Sequence, residues 1–317
     1  MGRNVIKTGD YVNNIFIIKK FEVRQSKNGK SYADITLGDM NGDYTAKLWD
    51  VPAGAEMLYG VNSFVRVEAS TQMFNDSMQF VIKRINEVMP TSEELSEIVE
   101  SAPYPPEKMY DKIMAIVSDF KNEDLKKLVS SIMEDHREQL MYYPAAKSFH
   151  HAIRGGLLYH MYTMLRSAFA LLDIYDFLNE ELVCSGVILH DIGKCTEITS
   201  TTYGAAGEYS AEGKLLGHIT IGICEIDRKT AELGIDPEVS MVMKHMILSH
   251  HFYPEFGSPV APMTAEAELL HHLDVIDARM YQFKKTLSTT EYGDFAEKVC
   301  DIFFPANIFR LKFPPIF

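Results

Sequence analysis

The chain has 317 residues with a net charge of −13, and 46% of them are apolar, enough for the cores of two ordinary domains. No apolar run reaches the roughly 18 residues of a membrane helix, and the N-terminus has no apolar signal segment, which favours a cytoplasmic protein without a membrane partner. The four cysteines are far apart and form no CxxC pair, which argues against a disulfide framework or a cysteine-based zinc site.

Charge and histidine are unevenly distributed along the chain. Residues 1–90 hold 11 basic and 10 acidic residues, whereas the remainder holds 20 and 34. All 11 histidines lie between His136 and His272. Local patches decide nucleic-acid binding, so the acidic total does not exclude such a partner for the first part. We expect two chemically different domains.

The first part has the pattern of a small β domain. Residues 13–88 contain five short β-rich runs, with Asn28-Gly29 and Asn41-Gly42 as hairpin signals. In SYADITLGD, residues 31–39, apolar side chains alternate with polar ones. A five-stranded antiparallel unit of this size predicts an OB-fold barrel over residues 1–90.

A linker and an all-helical domain are predicted after the barrel. Thr91 and Glu94 have capping-box spacing, so a helix is expected over 93–101. Three prolines between 101 and 106 cannot continue that helix and predict a linker, so the helix and the linker together occupy residues 91–106. Helical periodicity then covers a domain over 107–317. The expected helices include 154–173, 179–190, 211–233, 236–250 and 264–285, and no strand is expected between 107 and 290.

One face of the predicted barrel suits single-stranded nucleic acid. The alternation places Tyr32, Lys47 and Trp49 outward on strands two and three, where OB-folds hold single strands by stacking and phosphate pairing. Lys27, Lys30 and Phe74 could border the same groove. Trp49 has an alternative role, because it could close the barrel end or pack on the helical part.

The stretch VILHDIGK, residues 187–194, ends an apolar run with adjacent histidine and aspartate. Buried polar groups are costly without a partner, and a metal ion is one partner that takes both His190 and Asp191. Gly193 is expected to end the helix in the left-handed conformation. Lys194 then places a positive charge suited to phosphate, or faces the negative end of the helix dipole.

Histidines and aspartates recur in or at the ends of the predicted helices. This donor set suits Zn, Mn, Fe, Co or Ni. It exceeds one tetrahedral site, so we predict two ions that share Asp191 and together supply an activated water and charge neutralisation at a phosphate. Taken singly, each histidine could instead be structural. The predicted ligands are His160, His190, Asp191, His218, His250, His251 and Asp274.

The order of these predicted ligands along the chain, with HDIGK at 190–194, resembles that of the HD-domain metal-dependent phosphohydrolase superfamily. With FHHAIRGGLLYH at 149–160 and the barrel, the chain resembles nearly end to end the YhaM family of bacterial 3′→5′ exoribonucleases. The resemblance implies the seven ligands, Lys194 as a contact to the substrate phosphate, and dependence on Mn or Co. It also implies single-stranded RNA as substrate, with single-stranded DNA for some members. Phe252 follows the histidine pair where an HD-GYP domain has Glu, which disfavours a cyclic dinucleotide.

The sequence therefore predicts a metal-dependent 3′→5′ exoribonuclease that releases nucleoside 5′-monophosphates, with Asp191 and Lys194 as catalytic residues. His150 and His151 either contact the substrate or hold the ligands in place. One alternative is an HD phosphohydrolase acting on free nucleotides or cyclic dinucleotides. Another is a non-catalytic single-strand-binding protein. The apolar stretch 302–317 is expected to pack on the domain or on another subunit, which leaves a homo-oligomer open.

Overall fold

The computed structural model describes residues 6–26, 28–51, 59–75, 77–146, 151–201, 204, 206–296 and 308–312. The chain divides into two compact units, Met1–Ser101 and Ala102–Phe317. None of the helices in these described ranges is long and apolar enough to cross a membrane. The boundaries expected at 90 and 107 stay predictions, although the division falls inside the predicted linker.

The first unit is a closed five-stranded barrel. Its strands are β1 (Tyr11–Gln25), β2 (Ser31–Asp39), β3 (Gly42–Trp49), β4 (Phe64–Phe74) and β5 (Ser77–Glu87). They are hydrogen-bonded in the order β1-β2-β3-β5-β4, and β4 returns to β1. This confirms the predicted barrel with one correction, because β3 and β5 pair in parallel rather than antiparallel. The parallel pair closes the sheet on itself.

The alternation of side chains in β2 follows the prediction. Ala33, Ile35 and Leu37 are buried in the barrel core, whereas the residues between them are partly exposed. Period-2 alternation is what a strand with one buried face requires. The turn before β2 uses Gly29 at φ 78°, a conformation that glycine adopts without steric cost.

A short helix, α1 (Ser92–Ile98), closes the first unit. The predicted capping box is present: the Glu94 N–H donates to Thr91 Oγ1 at 3.2 Å, and the Thr91 N–H donates to Glu94 Oε2 at 2.9 Å. The helix packs against β1 and β2. It ends three residues earlier than expected.

The second unit is built mainly from helices around one apolar core. They are α2 (Pro106–Ser118), α3 (Glu123–Asp135), α4 (Arg137–Leu140), α5 (Gly156–Leu172), α6 (Glu180–Leu189), α7 (Lys194–Glu197), α8 (Ala211–Leu233), α9 (Pro237–Ser249) and α10 (Ala265–Thr289). Side chains of Asn122, Asn179 and Ser210 accept hydrogen bonds from the first turns of α3, α6 and α8. Such caps stabilise a helix start by about 1 kcal/mol. The starts of α6 and α8 lie within one residue of the predicted 179 and 211.

The structure contradicts the expectation that residues 107–290 lack strands. Two short strands, β6 (Ile198–Ser200) and β7 (Ala206–Tyr209), form an antiparallel hairpin inside the range expected to lack strands. They are three and four residues long, too short to leave a periodic signal in the sequence.

Candidate metal centre

The second unit brings the seven predicted ligands together from five helices. His160 lies in α5 and His218 in α8, His190-Asp191 and His250-His251 directly follow α6 and α9, and Asp274 lies in α10. His160, His190 and His250 are fully buried, and Asp191 is 1% exposed. Ligand atoms in triplets of this set lie within 4.8 Å of one another. They are thus near enough to share metal ions.

The two oxygens of Asp191 face different histidines. Oδ2 lies 3.3 Å from His190 Nε2 and 3.8 Å from His160 Nε2. Oδ1 lies 3.4 Å from His218 Nε2 and 3.9 Å from His250 Nε2. One carboxylate therefore separates two groups of imidazoles, as a bridging ligand must.

Asp274 borders both groups from α10. Its Oδ1 lies 3.2 Å from His160 Nε2, and its Oδ2 lies 4.0 Å from His251 Nε2. Burial would raise the pKa of the Asp274 carboxyl, but hydrogen bonding from His160 and the charge of His190 hold it well below its usual range. The group is ionised and suited to bind a cation.

All five histidines point the same ring atom at the centre. In each of them Nδ1 donates a hydrogen bond away from the centre, which leaves Nε2 facing inward. For His190, His250 and His251 the acceptors are the carbonyl oxygens of Val187, Ile247 and Phe256, at 2.9, 2.7 and 2.6 Å. For His160 and His218 they are the carboxylates of Asp277 and Glu197, at 2.8 and 3.2 Å.

The inward atoms fit a divalent cation. The Nε2 atoms of His190, His218 and His250 and the Oδ1 of Asp191 are buried without a hydrogen-bond partner among the described residues. Buried acceptors that face one another are unfavourable unless something positive lies between them. Imidazole and carboxylate are the ligands that Mn, Fe, Co, Ni and Zn share, so the donor set agrees with the prediction.

Electrostatics set the protonation of His250, Asp191 and His160. Burial, with His251 beside it, holds the pKa of His250 well below its usual range, so the ring is neutral. Burial would raise the pKa of the Asp191 carboxyl, but Lys194 and His190 hold it well below normal. Burial would lower the pKa of His160, whereas Asp274 and Asp277 raise it to about 10, so a cation at its Nε2 competes with a proton.

Lys194 is placed against the predicted bridging carboxylate. Its Nζ donates to Asp191 Oδ2 at 2.6 Å, and the side chain is buried. Burial would lower the pKa of this ammonium, but Asp191 raises it, so the group stays charged. The positive charge expected next to a substrate phosphate is therefore present in the centre.

The expected left-handed conformation of Gly193 was wrong. Its φ is −59°, which any residue adopts. The glycine is needed for another reason: a Cβ here would collide with the His218 carbonyl oxygen and crowd the Gly222 nitrogen in α8. Gly193 therefore allows the HDIGK segment to lie directly against the helix that supplies His218.

Two residues that support the ligands were missed from sequence. Asp277 Oδ2 accepts from His160 Nδ1 at 2.8 Å and from His151 Nε2 at 2.7 Å. Glu197 Oε1 accepts from His218 Nδ1 and, at 2.9 Å, from the His218 N–H. That N–H is available because Gly217, at φ 71° and ψ 157°, interrupts α8. The available signal for Asp277 was its position one helical turn after Asp274.

Of the two histidines predicted to bind the substrate, His151 lies within the described residues and His150 does not. His151 is buried, at φ 51°, with its ring 4.1 Å from that of Tyr281. Its hydrogen bond to Asp277 makes it a support of His160 in this arrangement. His150 lies outside the described residues, and its role stays a prediction.

The barrel groups the residues predicted to bind a single strand. Lys47 Nζ lies 4.5 Å from the ring centre of Tyr32, 5.5 Å from that of Trp49 and 6.0 Å from that of Phe74. Tyr32 and Trp49 are partners across β2 and β3, and Trp49 is 49% exposed. Lys30 is paired with Asp50, and Lys27 lies outside the described residues. An exposed aromatic surface with a cation among its rings can stack bases and pair with phosphate.

Known proteins match this chain along most of its length. The HD domain family model matches residues 157–279, which span every predicted ligand. A protein of Listeria welshimeri named 3′-5′ exoribonuclease YhaM is 37% identical over 297 residues, 92% of this chain and 93% of its own. The Bacillus subtilis protein of the same name is 35% identical over the same shares. The chain belongs to the YhaM family.

The closed five-stranded barrel and the HD match confirm the predicted arrangement of an OB-fold followed by an HD domain. An HD domain implies dependence on divalent metal ions, in agreement with the ligand clusters described above. The second OB-fold domain of replication protein A from Methanococcus maripaludis covers 29% of this chain and 98% of its own, with 11% identity and a TM-score of 0.24. The OB-fold assignment rests on the strand order of the barrel.

Proposed function

We propose that this chain is a metal-dependent 3′→5′ exoribonuclease that shortens single-stranded RNA and releases nucleoside 5′-monophosphates. The observation that supports it most is the carboxylate of Asp191, whose two oxygens face two separate groups of imidazoles. Membership of a family whose relatives are named 3′-5′ exoribonuclease supports the polarity and the RNA substrate.

Two divalent ions would be held on opposite sides of Asp191. When bound, such a pair supplies an activated water and stabilises charge on the attacking and leaving oxygens of a phosphodiester. Mn or Co is favoured by the family resemblance, and Fe, Ni or Zn fits the same ligands. The first set would be His160, His190, Asp191 Oδ2 and Asp274, and the second Asp191 Oδ1, His218, His250 and His251.

The charges at the centre explain why cations must precede the substrate. Asp191, Asp274, Asp277 and Glu197 are held ionised, against the ammonium of Lys194 and the imidazolium of His160. This net negative charge repels a polyanion until cations compensate it. Lys194 then holds a phosphate oxygen beside Asp191, as a compact charge that needs no fixed angle.

The barrel would hold the strand through Lys47 and the rings of Tyr32 and Trp49. Base stacking contributes about 1–3 kcal/mol per base and tolerates any sequence. It does not read the 2′-OH, so single-stranded DNA is a second partner for this surface. Binding and cutting would thus be divided between the two units.

The proposal includes a cytoplasmic location and a test for a homo-oligomer. The three described cysteines are free, in agreement with a reducing cytoplasm. Cell fractionation tests that location, and sedimentation of the purified chain tests the homo-oligomer that the apolar C-terminal stretch leaves open.

The test is a time course on 5′-labelled single-stranded RNA with Mn²⁺ or with EDTA. We expect a ladder that shortens stepwise from the 3′ end only with metal. Asp191→Ala should abolish shortening and leave single-strand binding intact, while Asp176→Ala, an exposed aspartate after α5, should behave as the wild type. An RNA that stays intact with every metal tried would refute the proposal and favour hydrolysis of free nucleotides, which Lys47→Ala should leave unchanged.

A further inference from the structure

We propose that the loop 252–258, here called the aromatic loop, forms a stacking surface for the 3′-terminal nucleobase of the RNA. This subsite rests on the proposed exoribonuclease function and adds to it the place where the base of the departing nucleotide lies. The side chains that would contact the base are Tyr253 and Phe256. Neither belongs to the predicted ligand set or to the barrel surface.

The aromatic loop is fastened directly to a predicted ligand. The Tyr253 N–H donates to the His251 carbonyl oxygen at 2.7 Å, and His251 Nδ1 donates to the Phe256 carbonyl oxygen at 2.6 Å. The His251 N–H donates to Ser258 Oγ at 3.0 Å, and Ser258 is fully buried. The loop therefore occupies a fixed place on the outer edge of an imidazole whose other edge faces the centre.

The backbone of the loop is held in a defined shape. Phe252 has φ 66° and Gly257 has φ 99°, both left-handed, and a 3₁₀ turn spans Pro254–Phe256. A bulky residue keeps such a φ only where its surroundings impose it, and these residues cluster at functional sites. A Cβ built on Gly257 would lie 3.5 Å from Ile219 Cδ1, so the loop also packs on α8 next to His218. It thus borders two predicted ligands.

The aromatic side chains of this fixed loop are exposed. Tyr253 is 51% and Phe256 is 44% exposed, and their rings meet edge to face at 5.9 Å and 88°. The Phe252 ring also packs against that of Tyr253, with ring centres 4.8 Å apart, so the face available for stacking is the exposed part of Tyr253 and Phe256. A nucleobase is a flat partner for such a face, and any base can stack there.

A nucleobase also explains the position of the surface. A 3′-exonuclease must bring the last phosphodiester to the centre, so the terminal base lies within one nucleotide of the metal ligands. A ring fixed to His251 can take that base without reading its identity, which suits an enzyme that removes nucleotides in succession.

The chain offers a matched control for this pair. Tyr175 and Phe177, between α5 and α6, are also exposed and meet at 6.4 Å and 74°. No hydrogen bond of the described residues joins Tyr175 or Phe177 to a predicted ligand. Replacing Tyr175 therefore removes an equivalent ring far along the chain from HHFYPEF.

The experiment compares two short single-stranded RNAs that differ only in an ordinary or an abasic 3′-terminal nucleotide. With the ordinary RNA and saturating Mn²⁺, we expect Tyr253→Ala and Phe256→Ala to raise KM about 5- to 100-fold with a much smaller change in kcat. With the abasic RNA the KM of the wild type should rise by the same factor, and the KM of the variants should not rise further. Tyr253→Phe keeps the ring and should match the wild type, as should Tyr175→Ala.

Three results would overturn the subsite. Equal KM values for the wild type and both alanine variants on the ordinary RNA would exclude stacking on these rings. A penalty of the variants that persists on the abasic RNA would show that the loop supports His251 instead of the base. Both leave the exoribonuclease function standing, whereas a wild type that shortens neither RNA refutes the function and the subsite together.

Discussion

A single carboxylate oxygen of Asp277 orients two imidazoles beside the centre, and replacing this carboxylate with an amide should weaken metal binding. Asp277 Oδ2 accepts from His160 Nδ1 at 2.8 Å and from His151 Nε2 at 2.7 Å. Its side chain is 12% exposed. Asp277→Asn keeps the shape but removes the charge, and its amide nitrogen cannot accept either hydrogen bond.

The expected effect is on metal affinity. If the amide nitrogen faces His160, the ring must accept at Nδ1, and its proton moves to Nε2, the atom predicted to bind metal. Removing an outer partner of a metal-ligating histidine typically costs 10–100-fold in metal affinity or activity. We therefore expect Mn²⁺ to bind about 10–100-fold more weakly, or about 1.4–2.7 kcal/mol, with single-strand binding unchanged.

The assay is a calorimetric titration of EDTA-treated, dialysed protein with Mn²⁺, followed by RNA shortening across the same concentrations. Excess Mn²⁺ should restore much of kcat for Asp277→Asn, which a general loss of folding would not allow. Glu197→Gln should give a similar loss through His218, because Glu197 holds that ring in the same way. Asp176→Asn is the exposed control. Wild-type Mn²⁺ affinity in a folded Asp277→Asn chain would refute the reasoning.

Three further predictions concern other parts of the chain. Lys47→Ala should weaken single-strand binding and lower the slope of log K against log salt by about 0.7 in filter binding, as expected for one lost phosphate contact. Gly193→Ala should lower the free energy of unfolding by about 1–3 kcal/mol in urea, because its Cβ collides with the His218 carbonyl oxygen. Burial opposes a charged His136, but Cys195 and Glu225 raise its pKa from 6.5 to about 10, so its stabilisation is complete below pH 6.5 and lost towards pH 10. His136→Asn should therefore lower the free energy of unfolding by on the order of 1–3 kcal/mol at pH 6.5 and by little at pH 10.

Local patterns predicted much of the fold because the forces that form these elements are local. The alternation around Ile35 and the caps at Asn122 and Ser210 act within a few residues, so they can be read from sequence. The parallel pairing of β3 with β5 depends on how the sheet closes, which no single strand encodes. The role of Gly193 depends likewise on a helix that begins 18 residues later.

The contrast between local contacts and contacts made far along the chain also explains why the ligands were predicted from sequence and two of their supports were missed. His190 and His250 directly follow α6 and α9, where the last carbonyl groups of a helix have no partner within it. The carbonyl oxygens of Val187 and Ile247, three residues earlier, therefore accept from their Nδ1 atoms, and the rings are oriented by the helix ends themselves. A predicted ligand just past the end of a helix therefore has its support in the helix itself.

His160 and His218 lie inside helices, where the carbonyl groups of the preceding turn already accept from the backbone. Their Nδ1 atoms need an acceptor from elsewhere, and Asp277 and Glu197 supply it as carboxylates. A carboxylate polarises the ring more strongly than a carbonyl does, so these two histidines should be the strongest donors of their respective groups. Each predicted metal position would then have one such histidine, and the affinities of the two positions could be changed separately through Asp277 and Glu197.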